Sequence, residues 1–187
     1  GAARDLQTHK GVYDAVLATG HISPQESRSV VDSARIIGVR KIVITHPEYW
    51  VVDMSIAQQE ELITDYHVVL ERCFRQPLPN GQWGSNVARN AEAIRQLGAD
   101  NTILSTDCGD PADPPWEYAM AQYLHEMEAH GVSRDALRRM THTLPAQLLG
   151  LEDAAEQHTR IDANARCSYE KRCVKEGNAL HAPLALY

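Results

Sequence analysis

The sequence predicts an α/β protein built from parallel strands that alternate with helices. Three short apolar runs end at turn residues and are rich in β-branched side chains, which is typical of strands buried in a parallel sheet. These runs cover residues 15–20, 41–45 and 101–106. Helical patterns with recognisable start and stop signals lie between the runs. With 187 residues, the chain is long enough for one domain with a sizeable core.

The first strand and helix have the clearest boundaries. Ser23 precedes Pro24 and is followed by Glu26, which is the arrangement of an N-cap, a first-turn proline and a capping-box acid. A helix is therefore expected after the first strand, and Gly38 ends its apolar pattern. The second strand, Lys41–Thr45, follows at once.

The next unit is predicted from a second capping box and a further apolar run. Ser55 and Gln58 have capping-box spacing, so a short helix is expected to begin there. Residues Tyr66–Cys73 predict the third strand. The segment Arg75–Ser85 is rich in Pro, Gly and Asn and is expected to be a loop. Val87–Leu97 then has the apolar spacing of a helix.

The last unit begins with the fourth strand, Thr102–Thr106. A proline-rich loop is expected over Cys108–Pro115, and the longest helix over Trp116–His130. Ser133 predicts the N-cap of a further helix, and the apolar run Leu144–Leu149 predicts a short final one.

Possible metal ligands stand at the ends of three of the predicted strands. His21 follows the first strand, His46 the second and Asp107 the fourth. The carboxyl ends of parallel strands gather at one face, so these side chains are expected to converge. Two imidazoles and a carboxylate can hold Zn or Mn, and Asp107 can also take a proton from an attacking water. Glu71, on the third strand, is expected to face the same site as a second catalytic carboxylate.

The loop after the second strand is expected to bind the substrate. It carries Glu48, Tyr49 and Trp50 directly after His46 and Pro47. An acid and two aromatic side chains at this position are suited to lining a pocket. The two aromatic rings are also compatible with packing of the loop onto the core, so that alternative stays open.

Composition restricts the kind of partner. The net charge is −7 and no basic run occurs, which argues against nucleic acid as the main partner. No apolar stretch approaches the roughly 20 residues of a membrane span, and the first residues lack the apolar centre of a signal peptide. The four cysteines form no CxxC pair. These features predict a cytoplasmic protein that acts on a small-molecule substrate.

Several of these segments resemble the later strands of metal-dependent hydrolases of the amidohydrolase superfamily. The segments that carry the resemblance are Leu17–His21, Ile44–Pro47, Ser105–Asp107 and Met140–Leu151. The family fold is a (βα)8 barrel of the TIM type. The resemblance implies that His21 and His46 are the metal-binding histidines after strands five and six. It implies that Asp107 is the aspartate after strand eight, which binds metal or accepts the proton of the attacking water.

The resemblance also implies that the chain contains half of such a barrel. The His-x-His motif of the family's first strand has no counterpart here, and a full barrel needs about 250 residues. We therefore expect an N-terminal lead-in over 1–13, a half-barrel of four parallel βα units over 14–151, and a C-terminal tail outside the core over 152–187. Two half-barrels can cover each other's open edges, so a homodimer or higher oligomer is predicted.

The expected function is that of a metal-dependent hydrolase. A metal-activated water would attack a phosphoester bond, or a lactone or amide bond, of a small substrate. One alternative is a non-catalytic, truncated barrel that still oligomerises. Another is a half-enzyme completed by a different chain. A third is an enzyme without metal that uses Cys73 or Cys108 as nucleophile beside a histidine.

Overall fold

The computed structural model describes residues 15–80 and 82–151, and the predicted lead-in and tail lie outside the described residues. It is an α/β structure whose main sheet has four parallel strands in the order β1-β2-β3-β6. A separate antiparallel hairpin is formed by β4 and β5. In chain order the strands are β1 Val16–Ala18, β2 Lys41–Thr45, β3 Val69–Cys73, β4 Arg75–Pro77, β5 Trp83–Ser85 and β6 Thr102–Ser105.

Helices connect the strands of the main sheet. They are α1 Pro24–Ile36, α2 Ile56–Tyr66, α3 Val87–Leu97, α4 Trp116–Ala129, α5 Arg134–Arg138, a π-helical segment Arg139–Thr143, and α6 Leu144–Leu149. Both predicted capping boxes are present, at Ser23 with Glu26 and at Ser55 with Gln58. In each box the serine hydroxyl accepts a backbone N–H of the first turn, which satisfies a donor that the helix itself leaves free.

The third strand begins later than the sequence predicts. Tyr66 is the last residue of α2, and His67 then adopts a left-handed conformation with φ 50°. The Tyr66 hydroxyl donates to Asp32 on α1, and the Arg35 guanidinium donates to the Tyr66 carbonyl. These tertiary hydrogen bonds hold Tyr66 in the helix, so β3 starts only at Val69. The first strand is likewise shorter than predicted, because Gly20 turns the chain away with φ 68°.

The segment predicted as a loop after the third strand contains the β4–β5 hairpin. Arg75 pairs with Ser85, and Pro77 pairs with Trp83. The absence of a side chain at Gly84 matters, because a Cβ there would lie 2.9 Å from a methyl carbon of Leu78. Proline and glycine are depleted in strands, which is why the sequence pattern did not indicate this hairpin.

The two faces of the main sheet are covered unequally. On one face, helices α1 to α5 pack over the strands and bury most of the apolar core, including Ile42, Ile44 and Leu70. The opposite face carries a small cluster in which Val43 and Val69 contact Leu144, with Ile103 and Leu148 beside them. Within the described residues, α6 supplies the helical cover of this second face. None of the described helices has the length and apolar character that crossing a membrane requires.

Candidate functional site

A cleft of about 490 Å³ lies at the carboxyl ends of the parallel strands. The sequence-predicted residues His21, His46, Glu71 and Asp107 all contribute to its walls, one from each strand or strand end. The complete lining is His21, Thr45, His46, Glu71, Cys73, Ser105, Thr106, Asp107, Cys108 and Gly109. The strand-end pattern in the sequence therefore brings its four polar residues into one concave site.

A left-handed backbone conformation recurs where three of the strands end. Gly20, His46 and Asp107 have φ values of 68°, 50° and 54°. For a residue with a Cβ this conformation costs of order 1 kcal/mol or more and persists where the surrounding structure enforces it. His46 is held by its backbone N–H, which donates to the Glu71 carbonyl at 3.0 Å. Non-glycine residues in this conformation are uncommon and often accompany functional sites.

His46 and Asp107 contact each other across the cleft. The His46 Nε2 atom lies 3.2 Å from Asp107 Oδ2, and the His46 side chain is buried. Burial lowers the pKa of His46, while the charges of Asp107 and Glu71 oppose this effect and that of His21 adds to it. The His21 ring lies 5.1 Å from the His46 ring, centroid to centroid. A neutral imidazole beside a carboxylate is suited to accepting a proton.

Three polar side chains on the floor of the cleft are linked by hydrogen bonds that the sequence did not predict. Ser105 donates a hydrogen bond to Glu71 Oε1 at 3.0 Å, and the Cys73 sulfur lies 3.0 Å from the Ser105 hydroxyl oxygen. Cys73 and Ser105 are partners in the β3–β6 register. Strand alternation places Glu71 and Cys73 on one face, but which residue of β6 lies beside them depends on the register of the sheet.

Both cysteines of the cleft are thiols rather than thiolates. Burial raises the pKa of Cys73, and the charge of Glu71 adds to the shift. Burial also raises the pKa of Cys108, together with the charge of Asp113. Because the thiolate is the nucleophile, these environments disfavour the alternative in which either cysteine attacks the substrate.

Glu48 does not line the cleft, although the sequence predicts it to bind substrate. Its side chain turns towards the helical side of the sheet, where it is buried 3.3 Å from Arg72 NH2. Arg72 also donates to Thr102 Oγ1 at 2.8 Å and to Gln59 Oε1 at 2.7 Å. Burial raises the pKa of Glu48, and the charge of Arg72 opposes that rise. The buried guanidinium attracts this acid into the interior, which a sequence pattern does not reveal.

The Tyr49 ring packs against the two histidine rings, and the Trp50 ring packs against Tyr49. The largely buried Tyr49 ring lies 5.5 Å from the His21 ring and 5.6 Å from the His46 ring. Trp50 is 45% exposed, and its Nε1 donates to the Pro77 carbonyl of the β4–β5 hairpin at 2.8 Å. Tyr49 therefore supports the imidazoles, and Trp50 packs against Tyr49, 5.8 Å between ring centroids. Neither ring is among the residues that line the cleft.

The side chains of the cleft are chemically suited to binding a divalent metal ion. Two imidazoles and two carboxylates are ligands that Zn and Mn accept. Within residues 15–80 and 82–151, however, no group of three or more His, Cys, Asp or Glu side chains is positioned to hold a metal ion. His46 and Asp107 bond to each other instead. The residues that could hold an ion are His21, His46 and Asp107, after rearrangement of their side chains.

Comparison with known proteins finds a family model that matches part of the chain. A family model described as "Family of unknown function (DUF6282)" matches residues 10–71. The matched segment includes His21, His46 and Glu71 and ends before Asp107. No curated protein and no solved structure matches the chain.

Proposed function

We propose that the protein is a metal-dependent hydrolase that cleaves a phosphoester, lactone or amide bond of a small molecule. The observation that carries the proposal is the meeting of His46 and Asp107 at 3.2 Å in a cleft that His21 and Glu71 also line. Four consecutive parallel strands each contribute one of these side chains or precede it. Convergence of acid–base groups at this edge of a parallel sheet is typical of active sites.

His21, His46 and Asp107 are the residues we propose to hold Zn or Mn. A bound divalent ion would lower the pKa of a coordinated water to near neutrality and polarise the bond under attack. Tyr49 would keep both imidazoles in place, since its ring packs against each of them. Because the ligands approach from loops on one edge, a small substrate can enter from the open side of the cleft.

Asp107 and His46 would manage the protons of the reaction. The oxygen of water forms the new bond to phosphorus or to the carbonyl carbon, and its proton passes to the Asp107 carboxylate. The bond to the leaving oxygen or nitrogen breaks, and that atom receives the proton. His46, whose Nε2 lies 3.2 Å from Asp107 Oδ2, would keep that carboxylate in place while it carries the proton. Glu71 supplies a second carboxylate below them.

We also propose that the sheet is half of a TIM-like barrel that is completed in a homodimer or higher oligomer. The strand order follows the chain order, as in consecutive units of a barrel. On the face that a barrel would enclose, Val16 of the edge strand is 37% exposed. Burying such a face against a second copy would remove apolar surface from water and pair an open edge. Light scattering coupled to size-exclusion chromatography tests this, and a stable monomer contradicts it.

Metal content and turnover together test the hydrolase proposal. Plasma mass spectrometry of dialysed protein is expected to find about one or more equivalents of Zn or Mn per chain. A His21→Ala/His46→Ala variant is expected to lose the metal, whereas His125→Ala, which alters an exposed histidine of α4, keeps it. Phosphoesters, lactones and amides are then screened for hydrolysis, which a chelator should abolish.

The opposite result has a defined meaning. Metal in neither sample, with an unchanged circular dichroism spectrum and no turnover, contradicts the proposal and favours a non-catalytic barrel remnant. The observation that favours this second candidate is that, among the described residues, no group of three or more His, Cys, Asp or Glu side chains is positioned to hold a metal ion.

A further inference from the structure

Glu71 lies deeper in the cleft than His46 and Asp107. In the sheet it pairs with Thr45, the residue before His46, and with Ile103, which precedes Asp107 by four positions. A strand rises about 3.3 Å per residue, so the Glu71 side chain starts below the level of His46 and Asp107. It is only partly buried and forms part of the lining, so a molecule in the cleft can reach it.

The hydrogen bonds on the cleft floor run in one direction. Ser105 has a single hydroxyl proton, which it donates to Glu71 Oε1 at 3.0 Å. The contact of 3.0 Å between Cys73 and Ser105 then requires the thiol to be the donor. The thiol proton of Cys73 therefore points to the Ser105 oxygen, and the Ser105 proton points to Glu71, which acts as the acceptor at the end of the chain. Among the described side chains no other donor is hydrogen-bonded to this carboxylate, so Oε2 can accept from a bound molecule.

The cleft lining contains no lysine or arginine among the residues that the structure describes. The guanidinium groups that follow Glu71 on the chain are engaged elsewhere. Arg72 pairs with Glu48 at 3.3 Å on the other side of the sheet, and Arg75 pairs with Asp113 at 3.2 Å. A divalent ion held at His21, His46 and Asp107 would offset charge at the cleft mouth. An anionic group on the floor would still meet the Glu71 carboxylate without a positive partner.

We propose that Glu71 determines substrate specificity by accepting a hydrogen bond from a neutral hydroxyl or a cationic amine of the substrate. The substrate is then a hydroxyl- or amine-bearing lactone, ester or amide rather than a phosphate monoester. This inference rests on the proposed hydrolase function for the bond that is broken. Its claim about which molecules bind the floor of the cleft can be tested separately.

Four small probes that the protein cannot hydrolyse test the claim by binding. Cyclopentanol and cyclopentylamine offer a donor, cyclopentanone has the same ring without a donor, and inorganic phosphate is the anion. The full chain is titrated with each probe, and the backbone amide signals of Glu71 and Ser105 are followed by NMR. Because one hydrogen bond to a charged group is involved, we expect the two donor rings to bind about tenfold more tightly than cyclopentanone.

Three variants locate the source of the preference. Glu71→Gln keeps the size of the side chain and removes its charge, so the advantage of cyclopentylamine over cyclopentanone should disappear. Glu117→Gln removes an exposed carboxylate of α4 outside the cleft and should bind all four probes as the unaltered chain does. Ser105→Ala leaves Glu71 in place and should keep the donor preference, which also covers the case in which Glu71→Gln does not fold.

The outcomes separate this inference from the hydrolase proposal. Equal binding of cyclopentanone and cyclopentanol, tighter binding of phosphate, or a preference lost in Ser105→Ala would overturn the role of Glu71. A donor preference that depends on Glu71 in a protein without turnover would support the inference and contradict the proposed hydrolysis. Turnover together with a donor preference that persists in Glu71→Gln would support the proposed hydrolysis and overturn the role of Glu71.

Discussion

The buried ion pair between Arg72 and Glu48 is expected to respond strongly to loss of one partner. Arg72 is fully buried, and its guanidinium contacts Glu48, Thr102 and Gln59 at 3.3, 2.8 and 2.7 Å. Arg72→Met keeps a long apolar side chain and removes the charge and all the donors. Glu48 then remains buried without the guanidinium that lies 3.3 Å from it.

The size of the effect follows from these contacts. Removing one partner of a buried pair costs about 3–5 kcal/mol, since the remaining charge is uncompensated. The unsatisfied Thr102 and Gln59 oxygens are part of the same loss, so we expect Arg72→Met to lower the free energy of unfolding by about 4 kcal/mol. With a urea slope of about 2 kcal/mol/M, the unfolding midpoint falls by about 2 M. That is a large fraction of the roughly 5–15 kcal/mol typical of a domain.

A double variant separates loss of the pair from loss of packing. Glu48→Gln/Arg72→Met removes both charges and is expected to regain most of the stability, because apolar and neutral replacements of a buried pair are often nearly neutral. The assay is urea unfolding followed by circular dichroism, with both single variants completing a double-mutant cycle. Arg95→Met is the control, since its ion pair with Glu92 is exposed at both ends and should contribute under about 1 kcal/mol.

Two results would refute this reasoning. If Arg72→Met lowers the free energy of unfolding by less than about 1 kcal/mol, Glu48 is not a buried anion that needs the guanidinium. If the effects of the two single variants add in the double variant, the side chains are not energetically coupled.

Two further predictions concern the candidate site and the first helix. In chelator-treated protein, the free energy of unfolding should fall as the pH drops from 7.5 to 5.5, a window centred on the ordinary histidine pKa of about 6.5. The pKa of His46 is lowered in the folded chain, so the unfolded chain binds more protons in this window and is favoured as the pH falls. His46→Gln should reduce this pH dependence, whereas the control His125→Gln should not. Urea unfolding midpoints at the two pH values measure the dependence. An unchanged difference between the two midpoints in His46→Gln would contradict the prediction. Ser23→Ala should lower the free energy of unfolding by about 1 kcal/mol, because it removes the capping box of α1, whereas Ser29→Ala on the exposed side of that helix should be neutral. Equal thermal unfolding of the two serine variants would show that the cap does not contribute.

Local signals in the sequence were sufficient for most of the secondary structure. Ser23 and Ser55 mark helix starts through contacts made within one turn, so no knowledge of the fold is needed to predict them. The β2 and β6 runs are short, apolar and β-branched, and the α/β class with a parallel sheet is confirmed. The half-barrel and its association remain predictions.

Errors arose where tertiary contacts override local preference. The sequence pattern predicts that Tyr66 begins a strand, but its hydrogen bonds with Asp32 and Arg35 keep it in α2. The β4–β5 hairpin is hidden by its proline and glycine content, and its strands are held by pairing and by the fit of Leu78 against Gly84. In both cases the structure depends on contacts between residues that are distant in the chain, or on packing that amino-acid composition does not predict.

Local patterns in the sequence are enough to predict which side chains stand at the strand ends. His21, His46 and Asp107 follow apolar runs, and the common direction of parallel strands brings such ends to one edge. Which of those side chains contact each other depends on how the sheet and helices pack. The register of β3 against β6 places Ser105 beside Glu71 and Cys73, and the buried guanidinium of Arg72 draws Glu48 away from the cleft. Strand ends are encoded by local polarity, whereas side-chain partners depend on register, face and burial, which only the packed sheet defines.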